Sequence, residues 1–271
     1  MDHSQVMIRM NCGDSLVKLC LSLIVNMVKN EKLQIDQISK LPKNLVSSLL
    51  NTFSKRGLLT DDNIQFFLNE NTRELELSEC DKLSDKALEK ISLCKYLRKI
   101  DLNSHSIQRT LITGQGISNL VKNCKFLTSI LLRRCSLIDD ECIDIIAKSC
   151  PKLKNLNIAN CSLITDQSFV SLGKYCNNLE SINFSGTKVT DNGVFYMFSK
   201  ENVAKSIQEI HIAHCDLITD ESIECILINC RRVKYLLFHE CPKVTVASRI
   251  ALEDYLNSSD QKVKHLTWTI Y

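Results

Sequence analysis

One stretch, from Cys135 to Cys161, recurs with variations along most of the chain and sets what the chain can fold into. It reads C-S-L-I-D-D-E-C-I-D-I-I-A-K-S-C-P-K-L-K-N-L-N-I-A-N-C. Leu153, Leu156, Ile158 and Cys161 define a frame, L-x-x-L-x-I-x-x-C. Leu127, Ile130, Leu132 and Cys135 fill the same frame, as do Ile207, Ile210, Ile212 and Cys215, and Val233, Leu236, Phe238 and Cys241. Successive units are spaced by about 26 residues, within the period range of solenoid repeats. Alternating apolar residues in the frame suit a short strand with one buried face. An apolar-Thr-Asp step follows: Ile164-Thr165-Asp166, Val189-Thr190-Asp191, Ile218-Thr219-Asp220. Thr or Asp there can accept hydrogen bonds from the free N–H groups that open a helix. Apolar residues at helical spacing come next, as in Ile143, Ile146, Ala147 and Cys150.

Each unit is thus strand, turn and helix, and one unit alone cannot bury its apolar face. Stacking is the remedy. The expected fold is α/β, a leucine-rich-repeat solenoid with short parallel strands on the concave face and helices outside. Strands are expected over 74–78, 99–103, 129–133, 155–159, 181–185, 209–213, 235–239 and 265–269. Residues 1–57 form an N-terminal helical adaptor-binding or capping module, and 58–271 the repeat domain.

The fourteen cysteines would suggest disulfides in a secreted protein. Their placement argues otherwise. Cys80, Cys135, Cys161, Cys215 and Cys241 fill one repeat column, and Cys94, Cys124, Cys150, Cys176 and Cys230 fill another at helix ends. Both want a small buried side chain, so reduced thiols and a cytoplasmic or nuclear location are expected. No cleavable signal and no run of roughly 20 apolar residues is read, hence no membrane partner. A net charge of +3 is too mild, and 6% aromatics too few, to point to nucleic acid. Arg133-Arg134 and Arg231-Arg232 read as solvated surface.

Residues 1–13 read as a disordered lead. Leu16, Leu19, Cys20, Leu23, Ile24, Met27 and Val28 make an uninterrupted helical stripe, with Asp14 or Ser15 as its cap. Leu41-Pro42-Lys43-Asn44-Leu45 opens a second helix, which Gly57 ends. Residues 58–68 read as the helical half of a repeat. The unit near His105 carries an insertion, S-I-Q-R-T-L-I-T-G-Q-G, read as a surface loop that either binds or is merely tolerated. A second extra turn falls at 200–205, in the unit where Thr187 replaces Cys. Trp268 and Tyr271 suit a capping task in the last strand.

These residues carry two resemblances. The cysteine-containing repeat resembles those of F-box substrate receptors. The wording Leu236-Leu237-Phe238-His239-Glu240-Cys241-Pro242, Glu209-Ile210-His211 with His214-Cys215, and Thr267-Trp268-Thr269-Ile270-Tyr271 resembles the antagonist of mitotic exit network protein homologue family. That likeness implies a protein-binding receptor that works with ubiquitin ligases and no enzyme chemistry. Ser15-Leu16-Val17-Lys18-Leu19-Cys20-Leu21-Ser22-Leu23-Ile24 resembles the elongin-binding BC box, with Leu16, Cys20 and Ile24 as its anchors. Leu41, Pro42 and Leu45 resemble the cullin-2 box. The implied partners are elongin B/C with cullin-2. A plain solenoid cap, or a degenerate F-box binding Skp1 with cullin-1, is the alternative for these helices.

No catalytic residue is assigned, because packing explains the cysteines and no base is paired with them. No cofactor or metal is assigned; His211-x-x-His214 beside His239 reads as a solvated binding face. Gly114-Gln115-Gly116 lacks the context of a phosphate loop. The concave face is the functional candidate, since its strand positions point away from the core. Its middle column reads Glu76, Asp101, Leu131, Asn157, Asn183, His211, Leu237 and Thr267, flanked by Arg133, Tyr235 and His239. Leu131, Arg133, Asn157, Asn183, His211, Tyr235, Leu237 and His239 are the expected contacts to a protein substrate. Tyr235, Leu237 and His239 form its expected hot spot. The reading that results is a monomeric, non-catalytic substrate receptor, or alternatively a stoichiometric inhibitor or scaffold.

Overall fold

The computed structural model describes residues 16–30, 32–258 and 265–269, with side chains from 18 to 253. The lead, the Asp14 or Ser15 cap, Tyr271 and the side chains of Leu16 and Trp268 lie outside this range. The chain opens with α1 (Leu16–Lys29), a 3-10 turn at Ile35–Lys40, and α2 (Lys43–Lys55). Then come β1 (Glu74–Glu76), α3 (Asp85–Ile91), β2 (Lys99–Asp101), β3 (Arg109–Thr113) and α4 (Gly114–Asn123). The middle runs β4 (Ser129–Leu131), β5 (Cys135–Leu137), α5 (Asp140–Ser149), β6 (Asn155–Asn157), α6 (Asp166–Tyr175), β7 (Ser181–Asn183), α7 (Asp191–Phe198) and α8 (Glu201–Ser206). It closes with β8 (Glu209–Ala213), α9 (Asp220–Asn229), β9 (Tyr235–His239), α10 (Val246–Ser258) and β10 (His265–Thr269).

Eight strands form one parallel sheet in the order β1-β2-β4-β6-β7-β8-β9-β10. Its register aligns Leu75, Ile100, Ile130, Leu156, Ile182, Ile210, Leu236 and Leu266 in one row. The first seven of these side chains are buried. This is the stacked aliphatic core of a leucine-rich-repeat solenoid. The next row holds Glu76, Asp101, Leu131, Asn157, Asn183, His211, Leu237 and Thr267, the middle column read from the sequence.

The cysteine column packs as expected and also bonds. Cys80, Cys135, Cys161, Cys215 and Cys241 are buried, and each thiol donates to a main-chain carbonyl of the preceding unit: Ser54, Leu102, Leu132, Phe184 and Ile212. Thr187 takes the same place in its unit, its hydroxyl donating to Phe184 O at 2.7 Å. All thirteen described cysteines are free.

The Thr-Asp step does more than cap its own helix. Thr165, Thr190 and Thr219 each accept from an N–H of the helix they open. The Asp beside each Thr then reaches the next unit. Asp140 takes the N–H and hydroxyl of Thr165 (2.9 and 2.6 Å), Asp166 those of Thr190, Asp191 those of Thr219 and Asp220 those of Thr245. Asp61 and Asp85 do the same to Ser84 and Thr113. A staircase of carboxylates thus ties helix start to helix start. It skips one step, where α4 opens with Gly114 in place of Asp.

Three expectations are corrected. Residues 58–68 hold only a 3-10 turn, Ile64–Phe66, and no repeat helix. The Asn63 side chain bonds Leu58 O and the Thr60 N–H, as at a helix start, but only one 3-10 turn follows. The insertion near His105 is not a free loop. Its residues Arg109–Thr113 form β3, which pairs parallel with β5 in a second small sheet. Arg109 is buried, with its guanidinium donating to Cys80 O (2.9 Å) and Leu77 O (2.6 Å) and lying 3.5 Å from Asp81 Oδ1. Finally, five of the eight expected strands, β1, β2, β4, β6 and β7, keep only three residues of ladder pairing.

Candidate functional site on the concave face

Each repeat must leave its strand and turn toward its helix within a few residues. The turn uses a left-handed residue just before the column Cys or Thr: Arg134 (φ 63), Asn160 (φ 58), Gly186 (φ 65), His214 (φ 52) and Glu240 (φ 54). Gly186 meets this demand without strain, and a Cβ there would lie 2.4 Å from Asn160 Oδ1. A side chain other than glycine costs about 1–2 kcal/mol in this conformation. Arg134, Asn160 and His214, which hold this conformation, line one hollow, and Glu240 holds it outside the lining.

The hollow has a volume of about 260 Å³. Arg133 and Arg134 after β4, Asn183 of β7, His211 of β8, and Leu237 and His239 of β9 line it, with Asn160 and His214. The Asn183 side-chain oxygen accepts the Ser185 N–H at 3.1 Å, which leaves its amide NH₂ as the donor end of that side chain. His211 Nε2 lies 2.6 Å from Glu209 Oε1, and His214 Nδ1 2.7 Å from Glu240 Oε2. The His214 and His239 rings meet edge to face at 5.7 Å. Arg134 is tied through its guanidinium to the His105 carbonyl.

Of the residues expected on this face, Arg133, Asn183, His211, Leu237 and His239 line the one hollow; Leu131, Asn157 and Tyr235 lie half-buried on the same strands outside it. Reading Arg133-Arg134 as plain solvated surface is corrected: both are half-buried at the hollow's edge. Arg134 and Asn160 were not singled out for this site, whereas His214 was read with His211 and His239 as part of a binding face. The signal of the first two was the place before the column Cys, which strand alternation does not register.

The N-terminal helices carry the second candidate surface. Helix α1 rests on the core through buried Val25 and half-buried Leu21, Ile24 and Val28. Cys20 and Leu23 are exposed, Leu23 by 41%. Ile24 therefore belongs to the packed side, whereas Cys20 faces out. Leu41 packs half-buried against the core, Leu45 is half-buried, and Pro42 is exposed at the start of α2.

Burial pushes the thiols of Cys124, Cys135, Cys142, Cys150 and Cys176 up to about 12, so they stay protonated near neutral pH and are poor nucleophiles. Among the described residues, no three His, Cys, Asp or Glu side chains are placed to hold a metal ion, and no helix is long and apolar enough to cross a membrane.

Comparison with known proteins agrees with the architecture. A family model described as "Leucine Rich repeat" matches residues 175–198 and 203–227. The crystal structure of the Rad7 and Elc1 complex in yeast is similar at a TM-score of 0.51 and 17% identity, covering 87% of this chain and 69% of that one. The tropomodulin C-terminal domain of Caenorhabditis elegans is more distant, at a TM-score of 0.42 and 13% identity over 53% of this chain and 91% of that one. The chain therefore carries leucine-rich repeats and has the leucine-rich-repeat solenoid fold, an architecture built for protein interaction.

Proposed function

We propose that this protein is the non-catalytic substrate-recognition subunit of a cullin–RING ubiquitin ligase. The concave face holds a target protein, α1 docks elongin B/C, and Leu41, Pro42 and Leu45 meet cullin-2. The receptor acts by proximity, holding its target near a ubiquitin-charged enzyme. One observation carries this reading. Helix α1 is anchored on one side by Val25, yet leaves Cys20 and Leu23 outside. An apolar edge left exposed on an anchored helix is what docking in a partner's groove requires. The likeness to the complex of Rad7 and Elc1 supports the same reading, as a related fold found with a second protein.

The finer parts of the proposal are a cytoplasmic or nuclear site of action, a monomeric receptor, and kinship with the antagonist of mitotic exit network homologues. Affinity purification of the full chain tests the core. Elongin B/C with cullin-2 in the eluate is the expected result. Skp1 with cullin-1 would move the assignment to an F-box type of receptor. Capture of target proteins without any cullin would replace it with the inhibitor or scaffold.

A further inference from the structure

We propose that the hollow on the concave face recognises a phosphorylated side chain of the target protein. This deepens the receptor reading and rests on it only for what the target is. The chemistry starts from what the lining lacks. Two arginines and three histidines surround the hollow, and no lining residue is acidic. Glu209 and Glu240 stand outside the lining, each held against one ring nitrogen of His211 or His214. With two arginines and no carboxylate in its lining, the hollow favours an anion.

The donors are ready. The Arg133 main-chain N–H donates to Asn103 Oδ1 at 2.8 Å, but its guanidinium has no hydrogen bond or ion pair among the described residues. That guanidinium is available to a ligand, and its planar fork suits phosphoryl oxygens. The Asn183 amide NH₂ adds neutral donors beside it.

Size and surroundings narrow the anion. About 260 Å³ is more than a lone carboxylate fills. A phosphate monoester brings three acceptor oxygens and up to two charges to donors converging from three strands. Leu237, half-buried in the lining, gives the residue next to the phosphate an apolar contact. A nucleic acid would run its phosphates on along the same face, where Glu74, Glu76 and Asp101 of β1 and β2 would repel them. A peptide bearing one phosphate avoids that conflict.

The test uses the full-length chain and four probes at constant ionic strength: acetyl-phosphoserine-N-methylamide, acetyl-serine-N-methylamide, acetyl-glutamate-N-methylamide and sodium sulfate. The ring C–H resonances of His211, His214 and His239 report binding, alongside the phosphorus linewidth of the first probe. The phosphoserine probe should shift the three histidines and bind at least about tenfold more tightly than the glutamate or sulfate probe. Arg133→Gln should lose at least about tenfold of that affinity with its melting temperature unchanged. Equal responses to the phosphoserine and serine probes would overturn the proposal, as would equal affinity for sulfate or full binding by the Arg133→Gln protein. Elongin B/C capture on the same preparation keeps the two claims apart. Phosphoserine binding without elongin supports the anion site and overturns the ligase reading; elongin binding without phosphoserine binding does the reverse.

Discussion

His214 shows how single residues trade stability for a surface. It holds a left-handed backbone conformation at a place where Gly186 does the same without strain. His214→Gly should therefore raise stability by about 1 kcal/mol in thermal or denaturant unfolding, and weaken binding at the hollow. Loss of stability would mean that its contact with Glu240 outweighs the strain. Arg109 is the opposite case. Its guanidinium is buried against main-chain carbonyls two strands away, and charged hydrogen bonds of this kind are worth roughly 1.5–3 kcal/mol each. Arg109→Ala should cost about 3 kcal/mol or more of stability in urea unfolding. An unchanged midpoint would mean that the insertion is the tolerated loop it resembles in sequence. The cysteine column was legible because identical residues recur at one period. Arg109 was not, because it acts on Leu77 and Cys80, some thirty positions away and outside any repeat. The hollow was legible in half: alternation exposes His211, Leu237 and His239, but the turn residues Arg134, Asn160 and His214 belong to no alternating pattern.

Among the elements, helix starts govern how units join. The Asp220 carboxylate collects hydrogen bonds from Ser248 and Thr245. Burial pushes its pKa up from 3.8, but those hydrogen bonds outweigh burial and leave it below that value. A carboxylate lowered on folding contributes stability that is present above its unfolded value and is lost as pH falls through its folded one. Melting temperature should thus fall below about pH 4, and Asp220→Asn should reduce that fall while lowering stability at pH 7. An identical acid slope in the Asn protein would remove the staircase from the stability account. Asp101 works in the other direction, since burial raises its carboxyl. The comparison must therefore be of slopes between the two proteins. The Thr-Asp step announced caps in the sequence, but its second role, bonding the next unit, needs the stacked geometry. The helix expected over 58–68 is reduced to the 3-10 turn Ile64–Phe66.

The whole molecule is a one-dimensional stack in which each unit covers its neighbour and α1 and α2 cover the first. Its thiols report that packing. Of the thirteen described cysteines only Cys20 is exposed, so a thiol reagent at pH 8 should label Cys20 quickly and the buried twelve only on unfolding. Rapid labelling of the buried set would contradict the stacked core. At the sheet's end, replacing Tyr235, Leu237 and His239 together by Ala should weaken target capture while leaving the fold intact, since hot-spot truncations cost roughly 2 kcal/mol or more each. Unchanged capture would move the binding face elsewhere.

The central claim, that α1 both anchors and docks, is tested most directly with one purified variant. Cys20→Glu puts a charge on the exposed edge of α1, away from Val25. The wild-type chain and the variant are melted alone and then titrated with elongin B/C. The account predicts equal melting temperatures, binding by the wild type, and none by the variant, because an unpaired charge buried in the partner's groove is costly. A variant that melts early, beside a wild type that never binds elongin, would contradict it and leave α1 as a cap.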